Sequence, residues 1–243
     1  MVQMTEGDYI MTMRELEQRI KTLESEVRTL KDVREIEILQ RAYGYYLEHW
    51  MDEEVINCFA DNPDTELSLY EGTWLGKEGI RRYFKREQGV QPAFLHQVMQ
   101  LSPIIHVEPD GELAKGRWYS WGAVASPGEN GIRQFFMGGI YEAVYTKEGG
   151  KWKILKLKYS LHIAADPREG WVRPDKVAKP GTTEGPRLTL NPDVPPGGMD
   201  SLYPSGFIFP FHFKHPVTGK ETSESKRNAA LKFKANRLSR TQT

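Results

Sequence analysis

The stretch from Phe94 to Ile163 sets the strongest constraint on what this chain can fold into. It reads as four long strand-like runs. "FLHQVMQLSPIIHVEPDGELAKGRWYSWGAV" folds back at "PDGE", and "GIRQFFMGGIYEAVYTKEGGKWKILKLKYSLHI" folds back at "KEGGK". Both turns place Gly where hairpin geometry requires positive φ. Period-two alternation is plainest at the end, with Lys153, Leu155, Leu157, Tyr159 and Leu161 set against Trp152, Ile154, Lys156 and Lys158. The preceding segment has helical spacing. Asp32 is placed to cap a helix from about Val33 to Asp61, with a break near Met51–Asp52. "TELSLYEGTW" follows as a short strand, and "GKEGIRRYFKRE" returns to helical spacing through Ile80, Tyr83 and Phe84. Helices first and an antiparallel meander afterwards predict an α+β domain over residues 33–165, with helices on one face of the sheet.

Two zones flank that domain. Residues 1–32 form an N-terminal amphipathic helix, with Met13, Leu16, Ile20, Leu23, Val27 and Leu30 spaced three and four apart. That is a heptad seam, with mainly β-branched residues at a and Leu at d, a choice that leans towards two parallel strands. The seam either pairs with another chain or packs on its own domain. Residues 166–243 lose periodicity and are rich in Pro and Gly, as in an irregular extension that wraps or trails. Within it, "FIFPFHF" is too apolar for a free tail and is expected to close a pocket, its own or a neighbour's.

The 33 basic and 33 acidic residues balance, so nucleic acid and anionic membranes gain no electrostatic attraction. No apolar run approaches the roughly 20 residues of a membrane helix and the N-terminus has no secretory apolar region, which favours a soluble, cytoplasmic protein. Cys58 is the single cysteine, so no internal disulfide forms. His212 and His215 lie three apart without a Cys or carboxylate at ligand spacing, so no metal is expected. Phosphate loops and the Gly-x-Ser-x-Gly elbow are absent.

"RAYGYYLEHW", residues 41–50, carries more polar aromatic side chains than a purely packing helix needs. Tyr43, Tyr46, Leu47 and Trp50 share one face, and Glu48 lies about 100° round from Leu47, on the flank of that stripe. Here the chain resembles the SnoaL-like branch of the nuclear transport factor 2-like superfamily. The resemblance rests on Tyr43, Leu47-Glu48, Phe59-Ala60-Asp61, Gly76 through Ile80, a strand beginning at His96, and the late "WKI" strand at Trp152–Ile154. It implies a cone-shaped barrel of curved antiparallel sheet wrapped by helices around a deep pocket. It also implies cofactor-independent chemistry on hydrophobic ring compounds, by dehydratases, isomerases, cyclases or other lyases.

Carried over residue by residue from scytalone dehydratase-type members, the helix carboxylate falls on Glu48, a strand tyrosine on Tyr70 and the strand histidine on His96. Three positions depart from that pattern: the tyrosine beside the helix acid is Leu47, the second histidine falls near Gly138, and the late-strand amide near Ser160. Scytalone dehydration itself is therefore not expected. His96 oriented by Glu48 makes an acid/base dyad, and Tyr70 assists the leaving or retained oxygen. Tyr43, Tyr46, Tyr119, Trp121 and Arg117 are candidate substrate-binding residues, the last three travelling together on one face of "GRWYSWG" and assigned to the sheet interior. An Arg there is costly to bury unless paired or bound to substrate.

The expectation is a cofactor-independent lyase that eliminates water or formaldehyde from a small, hydrophobic, hydroxylated aromatic compound, of which lignin-derived diarylpropanes are one example. The six Trp, eleven Tyr and ten Phe residues suit such a ligand. An isomerase or cyclase of ketosteroid or polyketide type would use the same residues. A non-catalytic binding or assembly module is the third alternative. A homo-oligomer, dimer or trimer, is expected from the heptads.

Overall fold

The computed structural model describes residues 6–85, 92–128, 131–168, 191–195 and 211–222. The chain begins with one long helix, α1 (Glu6–Glu48), followed by α2 (Asp52–Asn57), a small hairpin of β1 (Glu66–Leu69) and β2 (Gly72–Leu75), and α3 (Gly76–Phe84). Four long strands complete it: β3 (Leu95–Val107), β4 (Leu113–Gly128), β5 (Gly131–Glu148) and β6 (Lys151–Ala165). They form one six-stranded sheet in the order β2-β1-β6-β5-β4-β3, open rather than closed, with β1 running parallel to β6 and every other pair antiparallel. This is the expected α+β architecture. The two glycine turns form as expected, with positive φ at Gly111, Gly149 and Gly150. No helix among the described residues is long and apolar enough to cross a membrane.

α1 differs from expectation. It runs through residues 31–33 without interruption, so Asp32 caps nothing. Its side chain is instead buried. Asp32 Oδ1 accepts from Trp152 Nε1 at 2.9 Å and pairs with Lys147 Nζ at 2.8 Å, tying α1 to the β5–β6 hairpin. An N-cap accepts from first-turn N–H groups that lack an upstream carbonyl partner; here the upstream turns continue as helix and supply those carbonyls, which leaves the carboxylate available for a tertiary contact. Two apolar stripes explain the single helix. Residues 12–31 are all exposed, whereas Ile36, Gln40, Tyr43 and Leu47 are buried against the sheet. The stripes point different ways, so the helix as a whole has no single apolar side.

Strand register sorts the sheet into two faces. Trp118 pairs with Tyr141, and Tyr141 with Tyr159; Ser120 lies opposite Gln100 and Gly139. These residues, with Val98, Ile154 and Leu157, form the face packed under α1 and α3. The expected alternation in β6 is broken near Leu155. Tyr145 pairs with Ile154 but Val144 pairs with Lys156, so one residue is extra and the buried set passes from Trp152 and Ile154 to Leu157 and Tyr159. The face of β4 also differs from expectation. Arg117, Tyr119 and Trp121 do travel together, but on the side away from α1, because Trp118 and Ser120 take the interior.

Two described pieces of the C-terminal extension lie on the domain. Val194 exchanges both backbone hydrogen bonds with Thr73 on the edge strand β2, at 2.9 and 3.0 Å. Asp193 Oδ2 accepts from Leu75 N at 2.8 Å, and its Oδ1 meets Arg82 Nη2 at 2.5 Å. Leu75 offers α3 no side-chain cap, and Asp193 takes that place from far along the sequence. Close approach is possible because Gly72 and Gly79 lack Cβ atoms, which would meet Pro192 at 2.6 Å and Asp193 Oδ2 at 2.7 Å. The second piece, residues 211–222, rests on the outer face. The Phe211 ring lies 4.7 Å from the Arg117 guanidinium carbon, and Phe213 stacks on His106. Of "FIFPFHF", residues 207–210 lie outside the described residues.

Candidate functional site

The site is organised by the way α1 ends. Trp50 N donates to Leu47 O at 3.0 Å and Met51 N to Tyr46 O at 2.9 Å, the paired bonds of a Schellman stop. The residue in its left-handed position is usually Gly, but here it is Trp50, at φ 50°. For a bulky side chain that conformation costs on the order of 1–2 kcal/mol. The offset is visible. The buried indole donates from Nε1 to Phe84 O at 3.0 Å and packs against Tyr83, Phe84, Phe94 and His96. The Trp50 and His96 rings meet edge-on at 5.9 Å, and His96 Nδ1 is shielded from solvent.

Beyond His96 the interior face carries a set of polar groups in an apolar frame. Gly44 lets β3 come close under α1, since a Cβ there would lie 2.9 Å from Gln100 Cγ. Gln40 Nε2 donates to Gln100 Oε1 at 2.9 Å, Tyr145 Oη donates to Gln40 Oε1 at 2.9 Å, and Trp118 Nε1 donates to Tyr145 Oη at 2.9 Å. Ser120 Oγ donates to Tyr159 Oη at 3.0 Å, and the Tyr141 and Tyr159 rings lie 4.5 Å apart. Glu71, in the turn between β1 and β2, has a buried Oε2 and lies close enough to Tyr159 to raise its phenol.

This environment fixes protonation. Burial raises the Tyr43 phenol well above its ordinary value, with Tyr141, Tyr83, Cys58 and Tyr159 adding in the same sense. Burial pushes Tyr141 up to about 12, against the pull of its hydrogen bond from Gln100. Burial likewise raises Tyr159, with Tyr141 and Glu71 adding to it and the Ser120 hydrogen bond opposing. All three phenols are neutral donors near pH 7, suited to an oxygen that gains charge and unsuited to act as bases.

The residues singled out from sequence divide between the two faces. Tyr43 is fully inside, Tyr46 and Tyr70 are half-buried against the core, and His96 lies on the interior side of β3. Glu48 is half-exposed, with Gln97 Nε2 3.5 Å from its Oε1. Gln97 projects from the side of β3 opposite His96, because successive strand residues alternate. Arg117, Tyr119 and Trp121 are on the outer face. Arg117 is buried by pairing with Glu142 and by the Phe211 ring, Tyr119 is 61% exposed, and Trp121 stacks on Phe136 at 6.1 Å. Sequence reasoning passed over Glu71, Gln100, Ser120 and Tyr159 as site residues. Nothing local marks them. Glu71 reads as a solvated turn carboxylate until the hairpin folds its turn back towards Tyr159.

A family model for the SnoaL-like domain matches residues 28–158, just over half of the chain. Among solved structures, a scytalone dehydratase-like protein from Novosphingobium aromaticivorans is 19% identical and superposes with a TM-score of 0.50, covering 58% of this chain and 91% of that one. A hexachlorocyclohexane dehydrochlorinase from Novosphingobium barchaimii is 16% identical, with a TM-score of 0.47 over 58% of this chain and 92% of that one. A nuclear transport factor 2-like superfamily protein from Salmonella enterica serovar Typhimurium is 19% identical, with a TM-score of 0.45 over 55% and 92%.

Proposed function

Since this chain belongs to the SnoaL-like domain family, we propose that it is a cofactor-independent lyase, eliminating water or formaldehyde from a small hydroxylated aromatic compound such as a lignin-derived diarylpropane. The observation that carries this reading is the placement of His96 against Trp50 on the same interior face as three buried, neutral phenols. An imidazole in that position removes a proton from the substrate. Phenolic donors from Tyr43, Tyr141 and Tyr70 then serve the oxygen that departs or gathers charge. For the carboxylate partner we assign Glu71 ahead of Glu48, because Glu71 has a buried oxygen and its charge is felt by the interior phenol of Tyr159, while Glu48 meets Gln97 nearer the surface. The aromatic walls of Trp50, Phe84 and Phe94 suit a ring-bearing ligand of limited polarity.

The test is incubation of the purified chain with a panel of hydroxylated diarylpropanes and smaller aryl alcohols, without added cofactor, followed by mass analysis of products. Loss of water or formaldehyde supports the lyase. A product of unchanged mass replaces it with an isomerase, and retention of a ligand without turnover replaces it with a binding protein. His96→Ala should lower turnover by about 10²–10⁴-fold. Glu71→Gln should lose more activity than Glu48→Gln; the reverse order returns the acid role to the helix.

A further inference from the structure

We propose that residues 12–31 of α1 form a parallel, in-register, two-stranded coiled coil with the same segment of a second copy of this chain. All twenty residues are exposed in the single chain. Among them Met13, Leu16, Ile20, Leu23, Val27 and Leu30 keep 43–69% of their surface open. A helix whose large apolar side chains all lie on one stripe, with charged residues elsewhere, has a side that water disfavours. In heptad terms Met13, Ile20 and Val27 take position a, and Leu16, Leu23 and Leu30 take position d, the two-stranded preference.

The flanking charges select the occupant and its direction. Positions e hold Glu17, Glu24 and Lys31; positions g include Arg19 and Glu26. In a parallel, in-register pair each g residue faces the following e residue of the other chain. Arg19 of one copy then meets Glu24 of the other, and Glu26 meets Lys31. Every charged g–e contact is attractive and occurs twice by symmetry. An antiparallel pair sets the e-position glutamates, Glu17 and Glu24, against one another instead. The seam is self-complementary, which a surface built for an unrelated partner has no reason to be.

Geometry leaves room for the second helix. At about 100° per residue, the seam and the sheet-facing stripe of Ile36, Gln40, Tyr43 and Leu47 lie roughly 130–160° apart around the axis. A helix laid along the seam therefore runs on the far side of α1 from the sheet. At the end nearer the sheet, Val27, Leu30, Lys31, Arg34 and Glu35 outline a shallow depression able to receive a side chain from it. Beyond it the stripe turns polar, where Arg34 and Arg41 pair with Glu37 within the same helix.

The test uses the full chain. Sedimentation equilibrium of Ile20→Glu/Leu23→Glu should give half the mass of the unaltered chain, with unchanged unfolding of the domain showing that only association was lost. Equal masses overturn the proposal. Met13→Cys should form an interchain disulfide on mild oxidation, since the two a positions face each other only in the parallel, in-register pair; Cys58 is buried and does not compete. Absence of that cross-link, or a cross-linked mass above two chains under denaturing conditions, overturns it. Glu24→Arg should weaken association several-fold and the double variant Arg19→Glu/Glu24→Arg should restore it; failure of the rescue overturns the register.

Discussion

At the residue scale, buried polar groups hold α1 to the sheet. Asp32 is almost wholly buried, and its carboxylate holds Trp152 and Lys147 while the Lys147 ammonium lies 4.8 Å from the Trp152 ring centre. Removing one member of such a group leaves the other charge buried without its partner. Asp32→Ala should therefore destabilise the domain by about 3 kcal/mol, and Asp32→Asn by less, because the amide oxygen still accepts from the indole. Urea unfolding followed by Trp fluorescence measures both, and equal values for the two variants would mean that the indole hydrogen bond adds nothing beyond the charge. Asp32 also shows where sequence reasoning stops. An aspartate between a charged heptad segment and an apolar one fits a cap, and only the arrival of Trp152 and Lys147, more than a hundred positions later, gives it another task. The same holds for Glu71 and Tyr159. The inward placement of Tyr43 was legible from helical spacing and the family resemblance, and that of His96 from the resemblance alone, whereas Tyr119 and Trp121 were assigned to the wrong side, since alternation alone cannot say which face of a strand is inner.

At the element scale, the C-terminal extension does work that the domain leaves undone. The residues around Val194 cover the free edge of β2, a place where an exposed strand would otherwise invite pairing with another chain. Asp193 also supplies the cap missing from α3. Asp193→Ala should lower stability by about 1 kcal/mol, read as a drop in melting temperature, and no drop would show that α3 does not depend on its borrowed cap. Residues 211–222 dock through a cluster of titratable side chains. His106 Nδ1 lies 3.3 Å from His212 Nε2, and His212 faces Glu142 at 3.6 Å; Arg117, Lys115 and Glu108 complete the surroundings. Partial burial, then His212, hold His106 below its ordinary 6.5, with Glu108 opposing; burial, then Arg117, lower His162 likewise. A histidine that resists protonation when folded contributes stability that is complete above about pH 6.5 and shrinks as pH falls below it, because the released form takes up the proton first. Protection of the amides in residues 211–222 from hydrogen exchange, taken relative to the intrinsic rate at each pH, should fall on acidification, and His106→Ala should flatten part of that dependence. A profile indifferent to pH would remove the histidines from the docking. The strands and their glycine turns were readable in advance, but the bulge near Leu155 was not. Leu155 and Leu157 are equally apolar, and only the register with β5 decides which of them is inward.

At the scale of the whole molecule, the domain and the outer half of α1 are separate in energy although continuous in chain. Residues 12–31 are exposed along their whole length, so deleting residues 1–27 should change the melting temperature of the domain by no more than about 2 °C. A larger loss would mean that the outer helix supports the domain after all. The α+β architecture, the strand count in the meander and the break after "RAYGYYLEHW" all followed from local signals that agree with the global fold. What did not follow was the single helix, since two apolar stripes facing different ways look like two helices when read in windows. Its continuity has a mechanical side. At 1.5 Å per residue α1 is about 64 Å long, and its inner end carries Tyr43 and terminates in the Trp50 ring that touches His96. It is thus a lever with a short arm packed in the core and a long arm in water. A small tilt that slides Trp50 across His96 sweeps the far tip through a much larger arc, so any grip on the outer arm holds the indole in place with leverage in its favour.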